Sequence, residues 1–259
     1  MMGGAVSPTS LWLLTVLAGL AVWTANDMRQ YREFKAASDG VARQRFYLLW
    51  TAQSFVILVG GAAITAAVLD RGVPLLVLPA EFQELAAALQ PPDLDAAGED
   101  SRLGMMIGLI LGAGAAIGVQ VWRMRRALSA IVGDVDAIIP RSRREMLAAL
   151  PLCLNAGFSE ELFFRLALPL LIASVTGSVI IGMAASVVIF GLIHAYQGWK
   201  GVVATTLIGV VLTMVYLRSG SILTPMIMHA LIDVVALIVR PVVAARFSRS
   251  KGRRDVRDV

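Results

Sequence analysis

The sequence predicts an all-α fold, a polytopic bundle of about seven transmembrane helices with an eighth allowed. Three observations lead there. Of 259 residues, 58% are hydrophobic and only 16% are charged, against roughly 45–50% and about 25% in soluble domains. The mean hydropathy is +0.75. Apolar runs recur at 10–26, 46–69, 103–122, 146–168, 177–195, 201–217 and 222–239, each near the ~20 residues that a spanning helix needs.

Each element has its own justification. The first run has no Lys or Arg ahead of it, so it lacks the basic region of a cleaved signal peptide and reads as a retained span. Between spans, basic residues cluster in 27–45, in 123–145 and in the tail. The 70–102 loop instead carries Asp70, Glu81, Glu84, Asp93, Asp95, Glu99 and Asp100 against Arg71 and Arg102. The positive-inside rule then makes the basic segments cytoplasmic, with the N-terminus outside and the C-terminus inside. The net charge of +5 is accounted for by topology and contact with anionic lipid, which removes nucleic acid as a partner. A single cysteine, Cys153, excludes an internal disulfide and a CxxC zinc site.

Two segments are amphipathic without spanning. In 80–90, Phe82, Leu85, Ala86 and Leu89 follow helical spacing, and Pro91-Pro92 ends the pattern. In 126–139, Leu128, Ile131, Val132, Val135, Ile138 and Ile139 form a similar stripe. Both patterns fit a helix lying in the membrane interface, and equally a loop helix packed on the bundle. The chain divides into N-terminal transmembrane helices with interfacial segments (1–145), a transmembrane core (146–240) and a basic cytoplasmic tail (241–259).

The core holds the chemistry. From 146 to 239 the formal charges are Glu160, Glu161, Arg165, Lys200, Arg218 and Asp233, and the only two histidines of the chain, His194 and His229, fall in the same window. Lys200 and Arg218 stand at span ends, where they reach water. The rest lie within spans, where each ionisable group costs roughly 2.5–3.5 kcal/mol on insertion scales. Glu161 and Arg165 are spaced for a helical ion pair with the glutamate on the favourable side. Glu160 points about 100° away from Glu161, which leaves it free. His229 and Asp233 share one helix face, and a carboxylate beside an imidazole commonly orients it. At 1.5 Å per residue, Glu160, His194 and His229 lie ~22, ~9 and ~16 Å from their cytoplasmic ends, compatible with one cavity inside the bundle that opens to the cytoplasm.

These residues form a pattern that resembles a known family. "EELFFR" (160–165), "FGLIH" (190–194) and "HALID" (229–233) are similar to the EExxxR, FxxxH and HxxxN/D motifs of the CPBP intramembrane proteases, typified by CAAX prenyl endopeptidases and bacterial bacteriocin-processing and immunity proteins. Asp233 stands where the prenyl endopeptidases typically have asparagine. The resemblance implies hydrolysis of a peptide bond in a membrane protein or lipidated peptide substrate within the bilayer, in a bacterial plasma membrane. It implies Glu160 as general base, His194 as its partner on the water, and His229 with residue 233 at the oxyanion. Ionised aspartate only accepts hydrogen bonds, so Asp233 is expected to orient His229. Cofactor use stays open between none and zinc on Glu160, His194 and His229. Two other functions compete: a non-catalytic binding or immunity protein, and a proton-coupled transporter, which is disfavoured because the first half shows no in-span charge.

The topology is testable. With Cys153 replaced and single cysteines placed at Ser101 or Ser250, an impermeant thiol reagent applied to intact cells should mark only position 101. Labelling at position 250 instead would invert the map.

Overall fold

The computed structural model describes residues 7–72, 77–90 and 134–243. These are all-helical, with no strand among them. Helix α1 is Pro8–Ala36, α2 is Gly40–Val68 and α3 is Ala80–Ala88. Helix α4 (Arg143–Glu161) continues through a π-helical segment, Leu162–Ala167, into α5 (Leu168–Thr176). Then come α6 (Val179–Ile193), α7 (Gly198–Ser219) and α8 (Leu223–Val234), the last running on into a second π segment, Val235–Val239.

Among the described residues, four helices are long and apolar enough to cross a membrane: Pro8–Ala36, Gly40–Val68, Ala195–Ser219 and Leu223–Val243. Val179–Ile193 is apolar but shorter. The expected count of seven spans is therefore not confirmed. The 103–122 run lies outside the described residues. The 146–168 run belongs to one longer helix, because its acids and arginine are buried inside the bundle and do not end it.

Local sequence explains the ends. Ser7, Asp39, Ser142 and Ser178 cap α1, α2, α4 and α6 by accepting from backbone N–H groups of the first turn, which satisfies donors that a helix start leaves open. Gly177 and Gly220 end α5 and α7 with φ of 70° and 69°, a conformation open to glycine without a Cβ penalty. The helix runs through Pro151 and Pro169, but the second leaves a mark. Proline lacks an N–H and its ring crowds the carbonyl four residues back. Just before Pro169 the ladder widens, and the Leu168 N–H reaches Phe163 O, five residues away. Just before Pro241 the same happens, with Arg240 N–H on Val235 O. Within the first wide turn, the Phe164 carbonyl accepts from the Ser186 hydroxyl of α6 at 2.5 Å.

The core packs α5 and the π segment against α1, α2, α6, α7 and the amphipathic α3. Phe82 of α3 is fully buried, its ring edge-on to Tyr216 at 6.2 Å. Of the two readings of 80–90, packing on the bundle is the one observed.

At one end of the bundle a short segment is tied down by side chains. The expected helix over 126–139 is described only from 134, and there it is a single 3-10 turn, Asp136–Ile138. Its carbonyls are taken by the helices beside it. Arg43 Nη2 donates to Ala137 O at 2.8 Å and to Ile139 O at 3.1 Å, and Tyr47 Oη donates to Ile138 O at 2.9 Å. Tyr31 donates to Asp134 O, and Lys35 pairs with the Asp134 carboxylate. Arg43 Nε also meets Glu145 Oε2 at 2.9 Å, both side chains being almost fully buried. Removing one member of a buried ion pair costs about 3–5 kcal/mol. Arg43→Met should therefore lower the unfolding temperature of the detergent-solubilised protein by several degrees, with Arg43→Met/Glu145→Met recovering much of it. Equal losses in the single and double variants would show that the pair carries no coupling.

Candidate active site

The six in-span residues predicted from charge scarcity meet at one place. Glu160 and Glu161 end α4, Arg165 lies in the π segment, His194 caps the end of α6, and His229 and Asp233 share a face of α8. They come together because α4 and α8 cross closely at Gly157. A Cβ there would stand 2.6 Å from Met226 O and 2.7 Å from Ala230 Cβ, so glycine is what permits the approach.

Glu161 is fully buried and sits between two partners. Its Oε2 lies 3.0 Å from Arg165 Nε, the ion pair expected from the spacing. Its Oε1 lies 2.6 Å from His229 Nδ1. A carboxylate only accepts, so Nδ1 carries the proton and donates. The guanidinium of Arg165 is also stacked 4.0 Å from the Phe190 ring centre, a favourable placement for a desolvated cation. Its N–H groups are not directed at any hydrogen-bond acceptor, so the stacking and the close carboxylate together hold the charge.

The structure differs here from the expected arrangement. Glu161, not Asp233, makes the hydrogen bond that orients His229. Asp233 Oδ2 faces the other ring nitrogen, Nε2, at 3.7 Å, which is beyond hydrogen-bond range. The two glutamates also serve one ring, since Glu160 Oε2 lies 4.0 Å from the same Nε2. They approach the imidazole from opposite edges.

Glu160 Oε2 is also 3.9 Å from His194 Nε2, and it is buried without a hydrogen-bond partner. His194 Nδ1 is 2.8 Å from Phe190 O; a carbonyl only accepts, so Nδ1 donates and, in the neutral ring, Nε2 presents its lone pair toward Glu160. Both imidazoles are thus anchored at Nδ1 and offer Nε2 to the same carboxylate oxygen. An unsatisfied buried acceptor costs about 1–3 kcal/mol and calls for an explanation, a catalytic role being one.

A zinc ion does not fit this arrangement. Tetrahedral zinc with bonds of about 2.0–2.1 Å sets its N and O ligands roughly 3.4 Å apart, and the separations here are 3.9 and 4.0 Å. Among the described residues no group of three His, Cys, Asp or Glu side chains is spaced to hold a metal.

The orphan oxygen opens on a cavity of about 280 Å³ lined by Glu160, His194, His229 and Asp233 on one side and by residues of α1 and α2 on another. One of these, Asp27, corrects the expectation that the first half carries no in-span charge. Helix α1 runs on to Ala36, past the end of the apolar run, and buries Asp27. A lone acid at the edge of an apolar run was its one sequence signal. Trp23, Trp50 and Tyr196, also in the lining, gave none.

Residues 142–235 match the family described as type II CAAX prenyl endopeptidase Rce1-like. This stretch is an Rce1-like domain. No curated protein and no solved structure matches the chain. The Rce1-like domain begins at Ser142, the cap of α4, and contains all six residues of the cluster. It points to a protease, and with the four long apolar helices to an integral membrane protein.

The close crossing can be tested directly. Gly157→Ala should push α8 away from α4 and weaken the Glu161–His229 contact. Overpacking of this kind typically costs about 1–3 kcal/mol. The variant should melt lower, and the His229 ring N–H resonance in proton NMR should shift or vanish. An unchanged melting temperature and resonance would mean that the crossing absorbs the methyl group.

Proposed function

We propose that the protein is an intramembrane endopeptidase in which Glu160 and His194 activate a water against a peptide bond of a membrane-bound substrate. One observation carries the reading: a buried, unpartnered carboxylate oxygen facing two imidazole Nε2 atoms, each ring fixed from its far side. A water at ~2.8 Å from both Glu160 Oε2 and His194 Nε2 bridges their 3.9 Å gap. The matched family supports the class of reaction.

The steps follow from the donors and acceptors. Glu160 takes a proton from the water as its oxygen adds to the scissile carbonyl carbon, general base catalysis by a positioned side chain. His229 in its imidazolium form donates from Nε2 to the developing oxyanion. Glu161 holds that ring and keeps its Nδ1 proton in place. One such preorganised donor is worth about 2.7–4 kcal/mol of barrier. The C–N bond then breaks and the proton held by Glu160 passes to the leaving amine, giving a free carboxylate and a free amine. Asp233, set back from Nε2, favours the imidazolium. The substrate class is a membrane protein or lipidated peptide, with a CAAX-type prenylated terminus as one member.

Glu160→Gln should abolish cleavage while the protein still inserts and melts normally, read as the loss of new termini in membrane proteins of cells expressing it. Glu161→Gln should instead lower stability, because the buried Arg165 and the His229 ring lose the negative charge between them. Exhaustive chelation of the purified wild type should leave activity intact. A fully active Glu160→Gln protein would remove the proposed base. Loss on chelation with recovery on adding zinc would return a metal to the site.

A further inference from the structure

The cavity is more than a place for water. It carries three acids, Asp27, Glu160 and Asp233, and among the described residues no lysine or arginine lines it. Asp27 is only 9% exposed, and its Oδ1 has no hydrogen-bond partner. It comes from α1, outside the matched domain, and the chemistry above does not use it. Aromatic side chains surround it. Trp23 lies one turn before it and Trp50 stands across on α2, both in the lining. Trp50 Nε1 is already occupied by Gln30 Oε1 at 3.0 Å, so what it offers the cavity is ring, not N–H. Tyr196 packs edge-on to Trp50 with ring centres 5.2 Å apart, and lines the same cavity as Glu160, Asp233 and Asp27.

Aromatic faces attract cations, and a buried carboxylate oxygen without a hydrogen-bond partner, such as Asp27 Oδ1, needs one. The volume of about 280 Å³ lies at the small end of ligand pockets, roughly 300–1,000 Å³, and suits one side chain better than a larger molecule. We infer that Asp27, walled by Trp23, Trp50 and Tyr196, is a binding site for a basic side chain. Its occupant is an arginine or lysine of the substrate, held beside the bond to be cut. The position relative to the cut bond rests on the peptidase reading, whereas the binding does not.

The test uses the full chain in detergent micelles. Nα-acetyl-arginine methylamide should change the tryptophan fluorescence saturably, because Trp23 and Trp50 line the site. Its uncharged isostere, Nα-acetyl-citrulline methylamide, should bind at least about 10-fold more weakly, in line with the loss of a charged hydrogen bond. Asp27→Asn should erase that difference and Asp27→Glu should restore part of it. Trp23→Leu should weaken the arginine probe several-fold even if Asp27→Asn fails to fold. Equal binding of both probes, or a response reproduced by potassium chloride at matched ionic strength, would overturn the site. In a cleavage assay, membrane-anchored peptides with arginine near the cut should show at least about 10-fold higher kcat/KM than citrulline versions, the advantage vanishing in Asp27→Asn. Cleavage of neither peptide alongside normal probe binding would sink the peptidase reading and leave the site. Equal cleavage of both would do the reverse for the specificity.

Discussion

A carboxylate with no exposure to water must be satisfied by whatever the fold brings to it. Glu161 has two partners, Arg165 by charge from the next turn of the chain and His229 by a hydrogen bond from the last helix. Neither partner could be buried without it: the guanidinium would be an uncompensated charge, and the imidazole would have no fixed edge. The contact joins residues 68 apart in sequence, so it ties the two ends of the Rce1-like domain together. The bare Gly157 surface, the His229 orientation and the placement of Glu160 all depend on that one junction. Such a group is costly to bury but specific once paired.

Around the junction the molecule separates holding from working. Phe190 shows it most clearly. Its ring stacks on Arg165, and its carbonyl anchors His194, so one residue steadies both the structural cation and one of the two exposed imidazole edges. Asp233 and Glu160 are left facing the open Nε2 atoms, with no hydrogen bond of their own to those rings. Both imidazoles are fixed at Nδ1, while the carboxylates that face their Nε2 atoms make no hydrogen bond to them.

Much of this was legible in the sequence because charge is scarce in it. In a chain this apolar, Glu160, Glu161, Arg165 and Asp233 identified themselves by being inside spans, and the two histidines by having no counterparts elsewhere. The Glu161–Arg165 pair followed from helical spacing. The partner of His229 did not, because spacing speaks only for residues on one helix, and Asp233 was the acid in view. The span count is not confirmed, because hydropathy counts apolar runs one by one, whereas the 146–168 run belongs to a longer helix that buries charge and the 103–122 run lies outside the described residues. The stripe over 126–139 promised a helix, but where the chain is described, from 134, Arg43 and Tyr47 take the backbone carbonyls that a helix would need.

The wide turn before Pro169 constrains how this chain can change over time. A π segment is an α-helix that has absorbed one additional residue, with the backbone bulging to keep both flanks in place. Loss of a single residue between 162 and 167 would remove the bulge and leave both flanks in phase as an ordinary helix, at the expense of the widened turn in which the Phe164 carbonyl meets Ser186. A residue lost from α4 or α5 has no bulge to absorb it, and would turn one flank by about 100° relative to the other, taking the two glutamates out of line with α8 or α5 out of line with its neighbours. In this run the length of the chain is itself a functional character.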